Sequence, residues 1–176
     1  VGVVDADLGL AHGDLRAAEK TFQLIQQVTG RAGRVDAGHA ARAFLQTRAP
    51  DHPVLRAIVA GDRDGFYERE ADERRLAGLP PFGRLAALVV SADTRDAAFA
   101  HARALAAGAP RDADVAVLGP AEAPIAVIRG RHRFRLLMKT ARTTDIQARL
   151  RAWLGAAPPP TGPVRVQVDV DPQSFL

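Results

Sequence analysis

Arg31 and Arg34 bracket Gly33 and follow Gly30 in the stretch QQVTGRAGRVDAG, residues 26–38. Arginine's planar fork grips phosphate oxygens in pairs and stays charged. Glycines let the backbone approach a ligand closely, and residues three apart on a helical turn share a face. Gln27, Gly30, Arg31, Gly33 and Arg34 thus form a candidate nucleotide-phosphate site. Arg31 and Arg34 are the candidate catalytic pair, since an arginine meeting a transferring γ-phosphoryl stabilises its transition-state charge. The alternative is an ordinary helix C-terminus, where glycine and basic residues are common. A complete nucleotide-hydrolysing site also needs G-x-x-x-x-G-K-[ST]. Lys20 and Lys139 follow Glu19 and Met138, so these 176 residues contain no such loop. The remainder of such a site is expected upstream, and the chain alone is expected to be inactive.

A second cluster lies in RGRHRFRLLMK, residues 129–139. Arg129, Arg131, Arg133 and Arg135 alternate, so a strand would turn all four to one face and His132, Phe134 and Leu136 to the other. Four guanidinium groups on one face need solvent, acids or phosphates. Two readings stay open: a nucleic-acid or partner surface, and a solvated face paired with Asp169 and Asp171, which also alternate. Asp169 and Asp171 read as salt-bridge residues rather than metal ligands, with no further acid or histidine near them in sequence. The five histidines show no ligand spacing, and no metal is assigned. Asp5 and Asp7 end an apolar strand, at the edge where α/β sheets bind ligands.

Charge supports a polyanionic partner in the last third. Residues 1–60 hold 7 basic and 6 acidic side chains, residues 61–110 hold 7 and 8, and residues 111–176 hold 10 and 6. Six basic residues between Glu122 and Asp145 have no acid among them, a local field suited to nucleic acid. With 22 of the 24 basic residues arginine, part of this richness reflects coding bias. Cysteine is absent, which excludes disulfides and cysteine-held zinc in these residues and fits a cytoplasmic protein. No apolar run reaches the ~18 residues of a membrane span, and nothing resembles a signal peptide.

The elements that must carry these residues follow from hydrophobic spacing. Val1–Val4 reads as a buried strand already under way, and so as part of a longer chain's C-terminal portion. Asp14 is placed to N-cap a helix carrying Leu15, Ala18, Phe22 and Ile25 and ending at Gly30. Residues 41–47 form a second strand, and residues 50–53 a turn into a short helix. A charged helix over 62–77 runs into GLPPFG, and Pro80 and Pro81 place a domain boundary near residue 80. Then come strand 84–92, helix 94–107, a strand near 114–118, strand 124–140 broken at RGR, helix 143–154 and strand 163–170. That order is a split βαβ, ferredoxin-like sandwich.

The full series is DADLGL, FQLIQQVTGRAGR, LQT, PDHP, FYERE, PPFG, LGPAEAPI, RGRHRFRLL and VDVDP. It resembles the primosomal protein N′ family of bacterial replication-restart helicases. The likeness covers essentially the whole chain. QVTGRAGR alone is shared by many superfamily 2 helicases, while its combination with the later segments is far more specific. The resemblance implies an α/β fold: residues 1–60 end a second RecA-like helicase lobe, 61–80 are a charged helix and proline linker, and 81–176 are an α+β C-terminal domain. Gln27, Gly30, Arg31, Gly33 and Arg34 would be the last helicase motif, completing an ATP and Mg²⁺ site whose phosphate loop sits on a first lobe. Zinc is implied only for cysteines upstream. Implied partners are branched or forked DNA, the single-stranded-DNA-binding protein and primosome loader proteins, in a cytoplasmic, nucleoid-associated setting with no membrane. Arg129, Arg131, Arg133 and Arg135 would serve DNA or partners, and Arg142 the acidic tail of the single-strand-binding protein. The alternative is a non-enzymatic nucleic-acid or protein-docking module.

Overall fold

The structure, a computed structural model, describes residues 1–10, 14–32 and 42–174. Two compact units divide the chain, Val1–Asp72 and Glu73–Leu176.

In the first unit, β1 (Gly2–Val3) pairs in parallel with β2 (Phe44–Leu45). Helix α1 (Ala17–Thr29) buries Thr21, Phe22 and Ile25, the stripe that its apolar spacing dictates. Helix α2 (Pro53–Ala60) has proline in its first turn, a position that tolerates a missing N–H. The His52 side chain accepts from the Val54 N–H at 3.3 Å, and Gly61 closes the helix at φ 68°, the left-handed backbone that glycine adopts without strain. Helix α3 (Arg63–Leu76) buries Phe66, whose ring stacks on Phe22 with centroids 4.0 Å apart. Tyr67 packs edge-on against both rings.

The division between the units falls inside α3, so residues 61–72 belong with the first unit. Aromatic stacking accounts for this: Phe66 and Tyr67 are core residues there. Asp14 does not cap α1. The helix begins at Ala17 with Arg16 in the cap position and no capping side chain. Asp14 instead holds the Lys20 ammonium at 2.7 Å, and its carbonyl accepts from the Ala17 N–H at 3.1 Å.

The second unit is a four-stranded antiparallel sheet with the order β4–β5–β3–β6, built from β3 (Gly83–Ala92), β4 (Val115–Ile128), β5 (Arg131–Ala141) and β6 (Arg165–Val170). Helix α4 (Arg95–Ala107) connects β3 to β4, and α5 (Ile146–Ala156) connects β5 to β6. This is the ferredoxin-like order expected from the sequence. Alternation along β3 and β5 sends Ala86, Leu88, Val90, Phe134, Leu136 and Met138 to one face. There they meet Ala98, Ala102 and Leu105 of α4 and Ile146, Leu150 and Trp153 of α5. Caps match the helix starts: Thr94 accepts from the Ala97 N–H and Asp145 from the Ala148 N–H.

The expected strands at 114–118 and 124–140 divide differently. Residues 115–128 are one edge strand, irregular between Leu118 and Ala121 and between Glu122 and Val127, and Arg129–Gly130 is the hairpin turn into β5. Prolines at 120 and 124 interrupt the alternation, which an edge strand tolerates.

Leu136 is fully buried and Leu118 is 57% exposed. Leu136→Ala is therefore expected to destabilise the second unit by about 2–5 kcal/mol, and Leu118→Ala by no more than about 0.5 kcal/mol. Urea denaturation of the two variants checks the contrast.

Candidate nucleotide turn and nucleic-acid interface

In the first unit, α1 ends on Gly30, which keeps right-handed helical backbone (φ −63°, ψ −19°) and donates its N–H to the Gln26 carbonyl at 2.9 Å. The Arg31 N–H reaches the Val28 carbonyl at 3.2 Å. The turn therefore continues the helix, and Arg31 lies one turn beyond Gln27. Both side chains are exposed, away from the Phe22–Ile25 stripe. Gly33 and Arg34 lie outside the described residues. A helix C-terminus carries partial negative charge and repels anions. Phosphate at this end of α1 would thus depend on guanidinium groups, and Arg31 and Gln27 present donors of the kind a nucleotide needs.

Asp5 and Asp7 stand near the C-terminal ends of β1 and β2, beside a cleft of about 390 Å³ that Gln46 and Arg48 also line. Asp7 accepts from the Arg48 N–H at 2.7 Å and from the Thr47 hydroxyl. These two bonds, the backbone one first, hold its carboxyl below the usual carboxylate range. Asp7 thus ties the exit of β2 to the end of β1.

In the second unit the helices cover one sheet face, and the arginines stand on the other. Register aligns three strands: Arg133 opposes Ser91, and Ser91 opposes Arg165. One step along, Arg135 opposes Val89, and Val89 opposes Gln167. A groove of about 550 Å³ opens there, with Ser91, Arg129, Arg131, Arg133, Arg165 and Gln167 on its walls.

The four sequence-identified arginines are not equivalent. Arg131 is tied down, reaching Asp93 at 2.6 Å, the Ser91 carbonyl at 3.0 Å and the Pro163 carbonyl. Arg133 donates to the Ile125 carbonyl at 3.3 Å. Arg135 is half-buried farther along β5. Arg129 stands on the hairpin turn at φ 50° and, like Arg165, makes no ion pair among the described residues. Arg142 is exposed past the far end of β5. Eleven residues of strand separate it from Arg131, about 36 Å, so it is not part of the groove.

The alternative reading, pairing of this face with Asp169 and Asp171, does not form among the described residues. β3 lies between β5 and β6, and Asp171 binds Arg84 at 2.7 Å, raising that guanidinium's pKa.

Residues 75–173 match the family model for the primosomal protein N C-terminal domain. The chain belongs to this family. Replication restart protein PriA of Rickettsia felis is 38% identical over 175 residues, covering 99% of this chain and 26% of that protein. The protein of the same name from Treponema pallidum is 40% identical over 181 residues, covering 100% and 27%. The Bacillus subtilis one is 38% identical over 154 residues, covering 86% and 19%. The chain therefore spans about a quarter of the length of the first two relatives, and less of the third. No helix among the described residues is long and apolar enough to cross a membrane.

Within this primosomal C-terminal domain, Arg165, Ser91 and Gln167 are the groove residues that sequence reasoning missed. The alternation Arg165, Gln167, Asp169 was a visible signal that the three share a face. Only the pairing of β6 with β3 brings that face beside the β5 arginines.

Proposed function

We propose that the chain is the C-terminal portion of an ATP-dependent DNA helicase that recognises stalled or branched replication forks and restarts replication by primosome assembly. The observation that carries this is alignment of 99–100% of the chain with replication restart proteins from Rickettsia felis and Treponema pallidum. A basic groove on the open sheet face of the second unit agrees with it.

In this reading the first unit ends a RecA-like lobe. Gln27, Gly30, Arg31, Gly33 and Arg34 complete an ATP and Mg²⁺ site whose phosphate loop lies upstream, where zinc-binding cysteines would also lie. Bound ATP supplies the free energy of strand separation; the part of this chain is to present guanidinium groups to the phosphates. Arg129, Arg131, Arg133 and Arg135 face DNA. Arg142, exposed and away from the groove, is left to the acidic tail of the single-stranded-DNA-binding protein, and loader proteins join at the fork.

Steady-state ATP hydrolysis by the full-length protein tests the reading. Forked DNA should stimulate it well above linear duplex, and the 176-residue chain should hydrolyse none. A full-length protein without DNA-stimulated hydrolysis, whose forks are bound in a salt-dependent way, would instead be a docking module.

A further inference from the structure

We propose that the groove between β5 and β6 takes a single strand of nucleic acid with its bases turned inward, at the unpaired arm of a fork. This rests on the fork-binding reading above and specifies which part of the fork the second unit holds.

Two features of the groove select a single strand. Its cations are available: Arg129 and Arg165, on opposite rims, make no ion pair among the described residues, so their charge is free to meet phosphate or their planes to stack on bases. Its lining is not purely polar, since Val89 and Ile128 also contribute, Ile128 at 39% exposure. Apolar side chains gain nothing from phosphates but do gain from base faces. The Ser91 hydroxyl and the Gln167 amide add groups suited to base edges.

Size argues the same way. β5, β3 and β6 span two inter-strand spacings, about 10 Å. A strand with splayed bases fits that width, whereas a duplex would rest on the rims and offer only its backbone. An acidic peptide satisfies the cations but leaves Val89 and Ile128 without a partner.

The hairpin turn supplies an independent sign. Arg129 and Gly130 both have positive φ, 50° and 75°, as a type I′ turn requires. Asparagine or glycine adopts that backbone readily, whereas arginine is strained there. Placing arginine on the tip thus trades local stability for a cation at the rim.

Fluorescence anisotropy with the full-length protein, using labelled oligo(dT) and a blunt duplex of equal length, tests the proposal. The double variant Arg129→Gln, Arg165→Gln should weaken oligo(dT) binding about tenfold and reduce the log–log salt slope by about 1.4, two phosphate contacts' worth. Ile128→Ser should weaken it about three- to tenfold with the slope unchanged. Duplex affinity should move less than about twofold in Ile128→Ser, whereas the double variant should weaken the duplex as well, because a duplex resting on the rims meets the same two cations with its backbone. Arg129→Asn suits the turn, so it should melt no lower than wild type while still losing oligo(dT) affinity; this keeps the test clear of misfolding.

Equal losses on duplex and single strand in Ile128→Ser, or a silent Ile128→Ser, would overturn the proposal while leaving fork binding intact. So would a polyglutamate competitor that displaces oligo(dT) equally from wild type and Ile128→Ser. A wild-type protein that binds no fork at all sinks the fork reading itself, and this proposal with it.

Discussion

Arg34→Ala in the full-length protein is expected to abolish ATP-driven unwinding while leaving fork affinity within about twofold. An arginine that meets the transferring phosphoryl is worth about 10³–10⁵ in turnover, far more than the few-fold effect of removing one surface cation from a DNA-binding face. Arg31→Ala should fall in the same direction. The described end of α1 shows why substitution by lysine should not rescue it. Helical backbone through Gly30 sets Arg31 on the exposed side of the last turn, at the dipole end that repels anions. A point charge on a flexible stem loses the two-pronged geometry that offsets this. ATPase and unwinding rates, with anisotropy on the same fork, separate catalysis from binding. Wild-type unwinding by Arg34→Ala would remove it from the nucleotide site.

The second large effect is expected from reversing Arg131, Arg133 and Arg135 to glutamate together. Three reversals change the face by six charges, and at low salt the fork affinity should drop by about 100-fold or more. The log–log salt slope should flatten by about 2.7, at 0.9 for each lost phosphate contact. Arg131 requires its own control. It binds Asp93 and two carbonyls across the sheet, so Arg131→Glu sets two acids against each other and strips a strap from the β3–α4 corner. Its single variant should melt earlier than Arg133→Glu. Most of the binding loss, with about 1.8 of the slope change, should already be present in the Arg133, Arg135 pair. If that pair binds forks as wild type does, the face is structural.

Legibility of the fold tracked how local its causes were. The order of strands and helices in the second unit was readable because apolar spacing switches between two and about 3.6 along the chain. β4 was not, since Pro120 and Pro124 break its alternation and its irregular register depends on β5. The cap at Asp14 failed because α1 begins at Ala17 with Arg16 in the cap position, a shift that the apolar spacing of Phe22 and Ile25 does not register.

For the candidate site, residue type was legible and partnership was not. Alternation placed Arg131, Arg133 and Arg135 on one face correctly but put Arg129 on the strand where the hairpin turn lies, and it gave no sign that Arg131 is strapped while Arg129 makes no ion pair among the described residues. Pairing with Asp169 and Asp171, one of the two readings the sequence left open, does not form because strand order is a long-range property: Asp171 meets Arg84, 87 residues earlier. The same strand order conceals Arg165 from any local reading. The turn at Arg31 was legible from its own sequence, while Gly33 and Arg34 lie outside the described residues.

The chain's single tryptophan and single tyrosine fall in different units. Trp153 is 3% exposed between α5 and α4, its indole N–H donating to the Leu105 carbonyl at 3.0 Å. Tyr67 packs against the stacked rings of Phe22 and Phe66. Indole emission therefore reports solvent entry into the sandwich of the second unit alone. The phenol reports opening of the aromatic stack in the first. Each half carries its own optical probe, so its melting can be followed without an added label.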